Sequence, residues 1–538
     1  MNTHSVRRRG YKAIALLVVM LLAAACGDDG GSAEPAASTT TAGVAGTGTT
    51  ASTVPKVEKV VGGKVTYAIG SDLTSFDPLK IAEGVTGANR AIQVFETLLR
   101  MVPGGQIGPG MAESLKSDDG LTWTLKLRPN IKFTDNTDYN ADAVIYNINR
   151  QMDPANAYTF RSNVAVIETM TAVDALTVRF KLTAPNGSFA TAFTSVNGLI
   201  ASPTALKADL TGFAKNPVGA GPFVLKEWVK DDHMLLERNP GYWDKPKPYL
   251  DSVLIRILPD PQAWIDSLLS GAADVVSGTA NTQANVKGKK DVSIVANSTT
   301  GGSFVVANQN HPTWKGGADI RFREAIAIAF DPAIVDQVLT RGAWDLKAPC
   351  PPFLPGGPEC ANLNPKFDSA RAKSLIAEWV AAGNSPNVKL MSTVSVPQDN
   401  EFIQQELKRI GLNVTIDGVP TNEYTTRING GNYELAWGAI SSFADPLPKL
   451  VQYFHSKGGR WLGRKVNPAV DGALDKARDS LAQADKIAAY KTFQQEIEKD
   501  FTVSWYSPFI SGLAVRKVDI GNWGGGTDYH IDEWSLVK

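Results

Sequence analysis

From Asp331 to Asp500 helix signals alternate with strand signals, and this alternation confines the chain to a layered α/β architecture with a substantial parallel component. Asp331-Pro332 is a cap followed by proline at the first helical position, and Gly342 ends that helix. Asp368 opens a second helix with Ala372, Leu375, Ile376 and Trp379 on one stripe, and Gly383 stops it. Val388 to Val396 reads as a strand, Phe402 to Ile410 as a helix stopped by Gly411, and Leu412 to Ile416 as a strand. Tyr433 to Ile440 is a further strand, followed by helices over about Val470 to Leu481 and Asp485 to Asp500.

The first half carries a different signature. Val65, Tyr67 and Ile69 alternate with smaller or polar residues and predict a strand over Gly63 to Gly70. Leu121 to Leu127 alternates strictly, with Trp123, Leu125 and Leu127 inward and Lys126 outward. Pro129-Asn130 turns the chain, Ile131 to Phe133 reads as a short strand, and Asp135-Asn136 turns it again. Asn140 then caps a helix bearing Val144, Ile145 and Ile148.

The head of the chain cannot join either core. Arg7-Arg8-Arg9, an apolar run from Ala13 to Ala25 and the small residues before Cys26 form a secretory signal, expected over 1–25. The run is too short for a spanning helix, which needs about 20 residues. Cys26 directly after Ala24-Ala25 resembles a lipobox cysteine, to be acylated as the mature N-terminus, although Ala23 stands where such boxes usually carry Leu. The stretch 26–60 is rich in Gly, Ala, Ser and Thr and reads as a flexible tether. The 538 residues, 43% apolar, otherwise suffice for two domains or more. Basic and acidic residues balance at 54 each; without the four basic residues of 1–25 the body carries 50 against 54, weakly acidic with no basic stripe, which argues against nucleic acid as partner. Cys350 and Cys360 flank a Pro- and Gly-rich loop; outside the cytosol a disulfide is expected there, with two free thiols as the alternative.

Five segments, in this order and spacing, resemble the solute-binding lipoproteins of bacterial ABC importers, in the oligopeptide, dipeptide and nickel class. They are Ala112-Glu113-Ser114-Leu115 running into Asp119 to Arg128, Ile131 to Phe133 and Asn140 to Val144; Pro217 to Phe223 with Glu237 to Trp243; Leu269 to Val276; Ile320 to Ile326 with Phe330-Asp331; and Leu407 to Val414. The resemblance implies two α/β lobes with a hinge and an extra subdomain in the first lobe. It implies lobe I over 61–300, with the subdomain at about 80–210 and completion by 516–538, and lobe II over 301–515. Hinge crossings then fall near Val295–Ser303 and Ser507–Val515. The implied function is capture of a small molecule or short peptide by closure, and delivery to the permease subunits of an importer. The resemblance further implies a monomer held by lipid at the outer face of the cytoplasmic membrane.

By the same analogy three stretches contact ligand: Ser75 and Phe76 after the first strand, Asn308 near the hinge, and Trp437, Ser441, Ser442, Phe443 and Asp445 after a lobe II strand. Ser442 is a departure, because peptide-binding members carry there the carboxylate that pairs with the ligand's α-amine. An ammonium enclosed without a carboxylate is costly, so an N-blocked peptide, a glycan or another polar organic solute is expected ahead of a free peptide. Trp314, Trp344, Trp437, Trp461 and Trp505 offer either stacking faces or core packing. No metal site or cofactor is expected: the body's histidines, His233, His311, His455 and His530, are scattered, and no His-Glu-x-x-His or Cys-x-x-Cys occurs. No catalytic residue is assigned. Gly-x-Ser-x-Gly is absent, and the one Ser-x-x-Lys is the terminal Ser535 to Lys538. A solute sensor uncoupled from import, and an exported hydrolase, remain as alternatives.

Overall fold

The computed structural model describes residues 59–82, 87–102, 106–278, 280–339, 341–342, 366–394, 396–442, 445–458, 463–521 and 529–537. Cys26, Cys350, Cys360, Phe443, Trp344 and Trp461 lie outside the described residues, and so do the signal and nearly all of the tether.

A ten-stranded mixed sheet runs in the order Asn413–Val419, Asn387–Thr393, Leu435–Ser442, Val292–Ala307, Ser504–Arg516, Val275–Ser277, Lys64–Ile69, Ser252–Ile257, His233–Arg238, Phe223–Val229. It holds two parallel groups. Lys64–Ile69 is parallel to both of its neighbours, and Asn387–Thr393 is parallel to Asn413–Val419 and to Leu435–Ser442. Between the groups lie the long antiparallel strands Val292–Ala307 and Ser504–Arg516. Strand Lys64–Ile69 is covered on both faces. Val65, Tyr67 and Ile69 join one core, and Ala68 joins another with Trp264, Leu268 and Val276. That burial on both sides is what a central parallel strand requires.

A separate antiparallel sheet, ordered Ala112–Lys116, Thr122–Leu127, Thr177–Leu182, Ile167–Asp174, carries its own core. Trp123, Leu125 and Leu127 are buried in it and Lys126 is exposed, as strict alternation demands. The Asn140 side chain accepts a bond from the Ala143 N–H at 3.0 Å and opens helix Ala141–Met152. Residues 131–133 do not form a strand. Flanked by turns, they keep only an isolated bridge between Lys132 and Asp138.

In the second half each expected element is present with shifted ends. Helix Pro397–Arg409 starts five residues earlier than the apolar stripe alone indicates, because Pro397 occupies the first turn. The preceding strand accordingly ends at Thr393. Asp368 caps helix Ser369–Ala381 by accepting from the Arg371 N–H at 2.8 Å. Leu375, Ile376 and Trp379 bury against Phe322 and Leu407 on one face of the sheet, while Leu474, Tyr490 and Phe493 pack on the other.

The C-terminal segment docks beside helix Ala88–Phe95. Gln93 donates to the Tyr529 carbonyl at 2.7 Å and accepts from the Ile531 N–H at 3.2 Å. Beneath it, Arg100 is bidentate to Glu96 (2.9 and 2.6 Å) and reaches Asp532 at 3.1 Å and the Tyr242 hydroxyl at 2.6 Å. Both carboxylates are buried. Burial pushes the Glu96 carboxyl up, and the Arg100 guanidinium more than offsets this, holding it below the usual range.

Candidate functional site

Ligand sites of open α/β sheets lie beyond the carboxyl ends of the strands. In the first parallel group the segment after Ile69 is tied down by its own polar groups. Asp72 accepts from the Trp228 indole at 3.0 Å, the Asp231 N–H at 2.8 Å and the Lys230 ammonium at 3.3 Å. The Ser75 hydroxyl accepts from the Asp77 N–H at 2.9 Å and is half-buried. Phe76 is fully buried, edge-on to Trp228 at 5.3 Å between ring centroids. Its place is therefore in the core beneath the loop. Asp77 caps the following turn and pairs with Arg150 at 3.2 Å.

In the second group the carboxyl end of Leu435–Ser442 lies against a long strand. Leu435–Ser442 pairs with Val292–Ala307 so that Ser441 faces Gly301 and Ser442 faces Thr300 across the ladder. That is where the long-strand pairing is interrupted. Ser298 pairs with Ile510 and Gly302 with Pro508, leaving Thr299 to Gly301 opposite one residue. A second irregularity follows at once. Ser303 pairs with Ser507 and Phe304 with Trp505, so Tyr506 is an extra, bulged residue. Bulges bend a strand and re-aim a side chain, and the first of these irregularities lies beside Ser441 and Ser442.

Tyr506 anchors a polar chain. Its hydroxyl accepts from the Trp437 indole N–H at 2.8 Å and donates to the Asp399 carboxylate. The Tyr424 hydroxyl donates to the Trp437 carbonyl. Trp437 and Asp399 are half-buried, whereas Tyr506 is fully buried. Burial raises the Asp399 carboxyl above its ordinary value, and the Tyr506 and Trp437 hydrogen bonds recover only part of that.

Two expected contacts have other occupations. The Asn308 amide donates to the Gly431 and Tyr433 carbonyls at 2.8 and 3.0 Å, and its oxygen accepts from the Asn310 N–H at 3.0 Å. Gly463, at φ +59°, comes so close that a Cβ there would lie 2.5 Å from the Asn308 oxygen. Asn308 therefore fastens two backbone segments, the alternative use of such an amide. Asp445 lies in a buried ion pair with Lys486 at 2.9 Å, and the Tyr490 and Ser188 hydroxyls donate to it. Lys486 also donates to the Gly187 carbonyl and the Ser188 hydroxyl, each at 2.9 Å, and the Gly187 N–H donates to the Arg478 carbonyl at 2.6 Å. Gly187 and Ser188 follow the antiparallel sheet, so Asp445 and Lys486 fasten that subdomain to the second half. Burial pushes the Asp445 carboxyl up, and Lys486, Ser188 and Tyr490 more than offset it, holding it below the usual range.

Trp314 packs edge-on against Phe322 at 5.2 Å and Trp505 against Phe304 at 5.0 Å, both as core rings. Among the described residues no group of three or more His, Cys, Asp or Glu converges, and no helix is long and apolar enough to cross a membrane. Sequence reasoning missed Asp399, Tyr506 and Lys486. Lys486 and Tyr490 stand four apart on one helical face, a signal that a buried acid between them would have explained.

Residues 106–461 match the model of the bacterial extracellular solute-binding proteins, family 5 middle region. The glutathione-binding protein GsiB of Shigella flexneri is 27% identical over 485 residues, spanning 84% of this chain and 89% of that relative. Among solved structures, the periplasmic binding protein DppA of Helicobacter pylori in complex with the peptide STSA superposes with a TM-score of 0.72 at 23% identity, covering 89% of this chain and 99% of that one. NikA of Brucella suis, in complex with Fe(III)-EDTA, superposes with a TM-score of 0.77 at 18% identity, covering 88% of this chain and 100% of that one.

Proposed function

Because the chain belongs to family 5 of the bacterial extracellular solute-binding proteins, we propose that it is the capture subunit of an ABC importer, closing two lobes over a peptide-like or other small polar organic solute and handing it to the permease. Lobe I is assigned to 61–300 with 516–538, lobe II to 301–515, and Cys26 to the lipid anchor. The observation that carries this reading is the paired interruption of the long strands at Ser298/Gly302 and Ser303/Phe304. It joins two parallel groups and lies beside the carboxyl end of Leu435–Ser442. Such a junction lets solute that touches both halves favour the closed form by population shift. Within the expected site, Trp437, Ser441 and Ser442 keep their proposed role at that junction. Ser75 contributes as loop surface, while Phe76, Asn308 and Asp445 support the site from within.

The relatives' ligands set part of the test panel, glutathione, free short peptides and metal chelates, with N-acetylated peptides and oligosaccharides added. A solute at about 100 times its Kd adds roughly 2.7 kcal/mol to stability. At least one peptide-like member is expected to raise the melting temperature by a few degrees. A response confined to oligosaccharides or chelates would reject the peptide-like class.

A further inference from the structure

Asp399 is a half-buried carboxylate with no counter-charge among the described residues. Its hydrogen-bond donors are neutral, the Tyr506 hydroxyl and the Trp437 indole. Among the described residues no lysine, arginine or histidine pairs with it. Every other deeply placed acid of the site has a cation: Asp72 has Lys230, Asp77 has Arg150 and Asp445 has Lys486. An acid withdrawn from water without a cation is a cost to the fold, which a proton or a cation from outside the chain relieves.

Its position fits that use. Asp399 lies in the first turn after strand Asn387–Thr393, at the carboxyl end of the central parallel strand of the second group. The donor that orients it, Tyr506, is the bulged residue of the long strand. The half-buried indole of Trp437 donates its N–H to the same hydroxyl and so holds Tyr506 in place beneath the carboxylate. We propose that Asp399 receives the cationic group of the bound solute, an ammonium or a guanidinium, at the junction of the two halves. The assignment rests on the peptide-like reading above. It gives a solute amine a partner that Ser442 does not supply. Through Tyr506 it also links occupancy to the strand that carries the bend.

Three probes test this by titration of the whole chain: triglycine, N-acetyl-triglycine and N-acetyl-Gly-Lys-Gly. Wild type is expected to bind one of the two cation-bearing probes at least tenfold more tightly than neutral N-acetyl-triglycine. Which one it prefers tells a terminal amine from a basic side chain. Asp399→Asn, which still accepts from Tyr506, is expected to erase that preference by weakening the cation-bearing probe at least tenfold. Retention of the preference in Asp399→Asn, or its absence in wild type, overturns the assignment. Failure of all three probes and of glutathione with wild type overturns the peptide-like reading instead, and the ligand-free proteins then decide Asp399. Asp399→Asn is expected to melt above wild type at neutral pH, because an uncompensated charge has gone. A lower melting temperature would make Asp399 a structural acid and overturn the assignment.

Discussion

Lys486→Met is expected to destabilise the chain by about 3–5 kcal/mol, the cost of leaving one partner of a buried ion pair without the other. The side chains of Lys486 and Asp445 are 8% and 10% exposed, so water cannot take the place of the lost ammonium. The variant also loses the two bonds to Gly187 and Ser188 that tie the antiparallel subdomain to the second half. Faster hydrogen exchange at the Gly187 N–H should therefore accompany the loss. The pH dependence has a definite sign. The folded Asp445 carboxyl sits below its ordinary value, so its contribution is complete above the unfolded pKa of about 3.9 and lost as pH falls through the folded value. Without Lys486 burial drives that carboxyl up, and protonation relieves the variant as the medium is acidified. The gap between wild type and variant, read from urea unfolding, should be widest near neutral pH and narrow towards acid. Lys486→Arg should recover part of it. A loss below about 1 kcal/mol would mark the pair as an ordinary solvated one.

Arg100→Met is expected to cost at least as much, because one guanidinium serves two buried carboxylates. Glu96 and Asp532 are 0% exposed. After the substitution the nearest described basic groups are the His530 ring, 3.9 Å from Asp532, and Lys247, 4.0 Å from it and already paired with Glu533. The damage should concentrate on the C-terminal segment, whose Tyr529 and Ile531 N–H groups are held by Asn89 and Gln93. Those amides should exchange early in the variant, and proteases should cut there first. Adding Glu96→Gln should restore part of the stability, since it removes one stranded charge, and the non-additivity measures the coupling. Additive losses would show that Arg100 and Glu96 act independently.

Elements with local signals were legible in the sequence. Trp123, Leu125 and Leu127 announce a strand by their period, and Asp368 with Ala372, Leu375 and Trp379 announces a helix by its cap and stripe. The crossing strand Val292–Ala307 was harder, because its centre, Asn297 to Gly302, is polar and glycine-rich and offers no apolar alternation. Its pairing comes from two neighbouring strands, both more than a hundred residues further along the chain. The site suffered most from this non-locality. The resemblance assigns Asp445 to ligand contact; its partner Lys486 is 41 residues further on, and Ser188 is 257 residues back. Asp399 falls between the strand expected to end at Val396 and the helix expected to begin at Phe402, where nothing local marks it. Only the bulge that turns Tyr506 toward it, a product of strand register, gives it distinction.

Small-angle scattering of the chain with and without the solute that gives the largest thermal shift tests closure most directly. The account predicts that saturating solute lowers the radius of gyration and removes the longest interatomic distances. Saturated binding with an unchanged scattering profile would contradict capture by closure of two lobes.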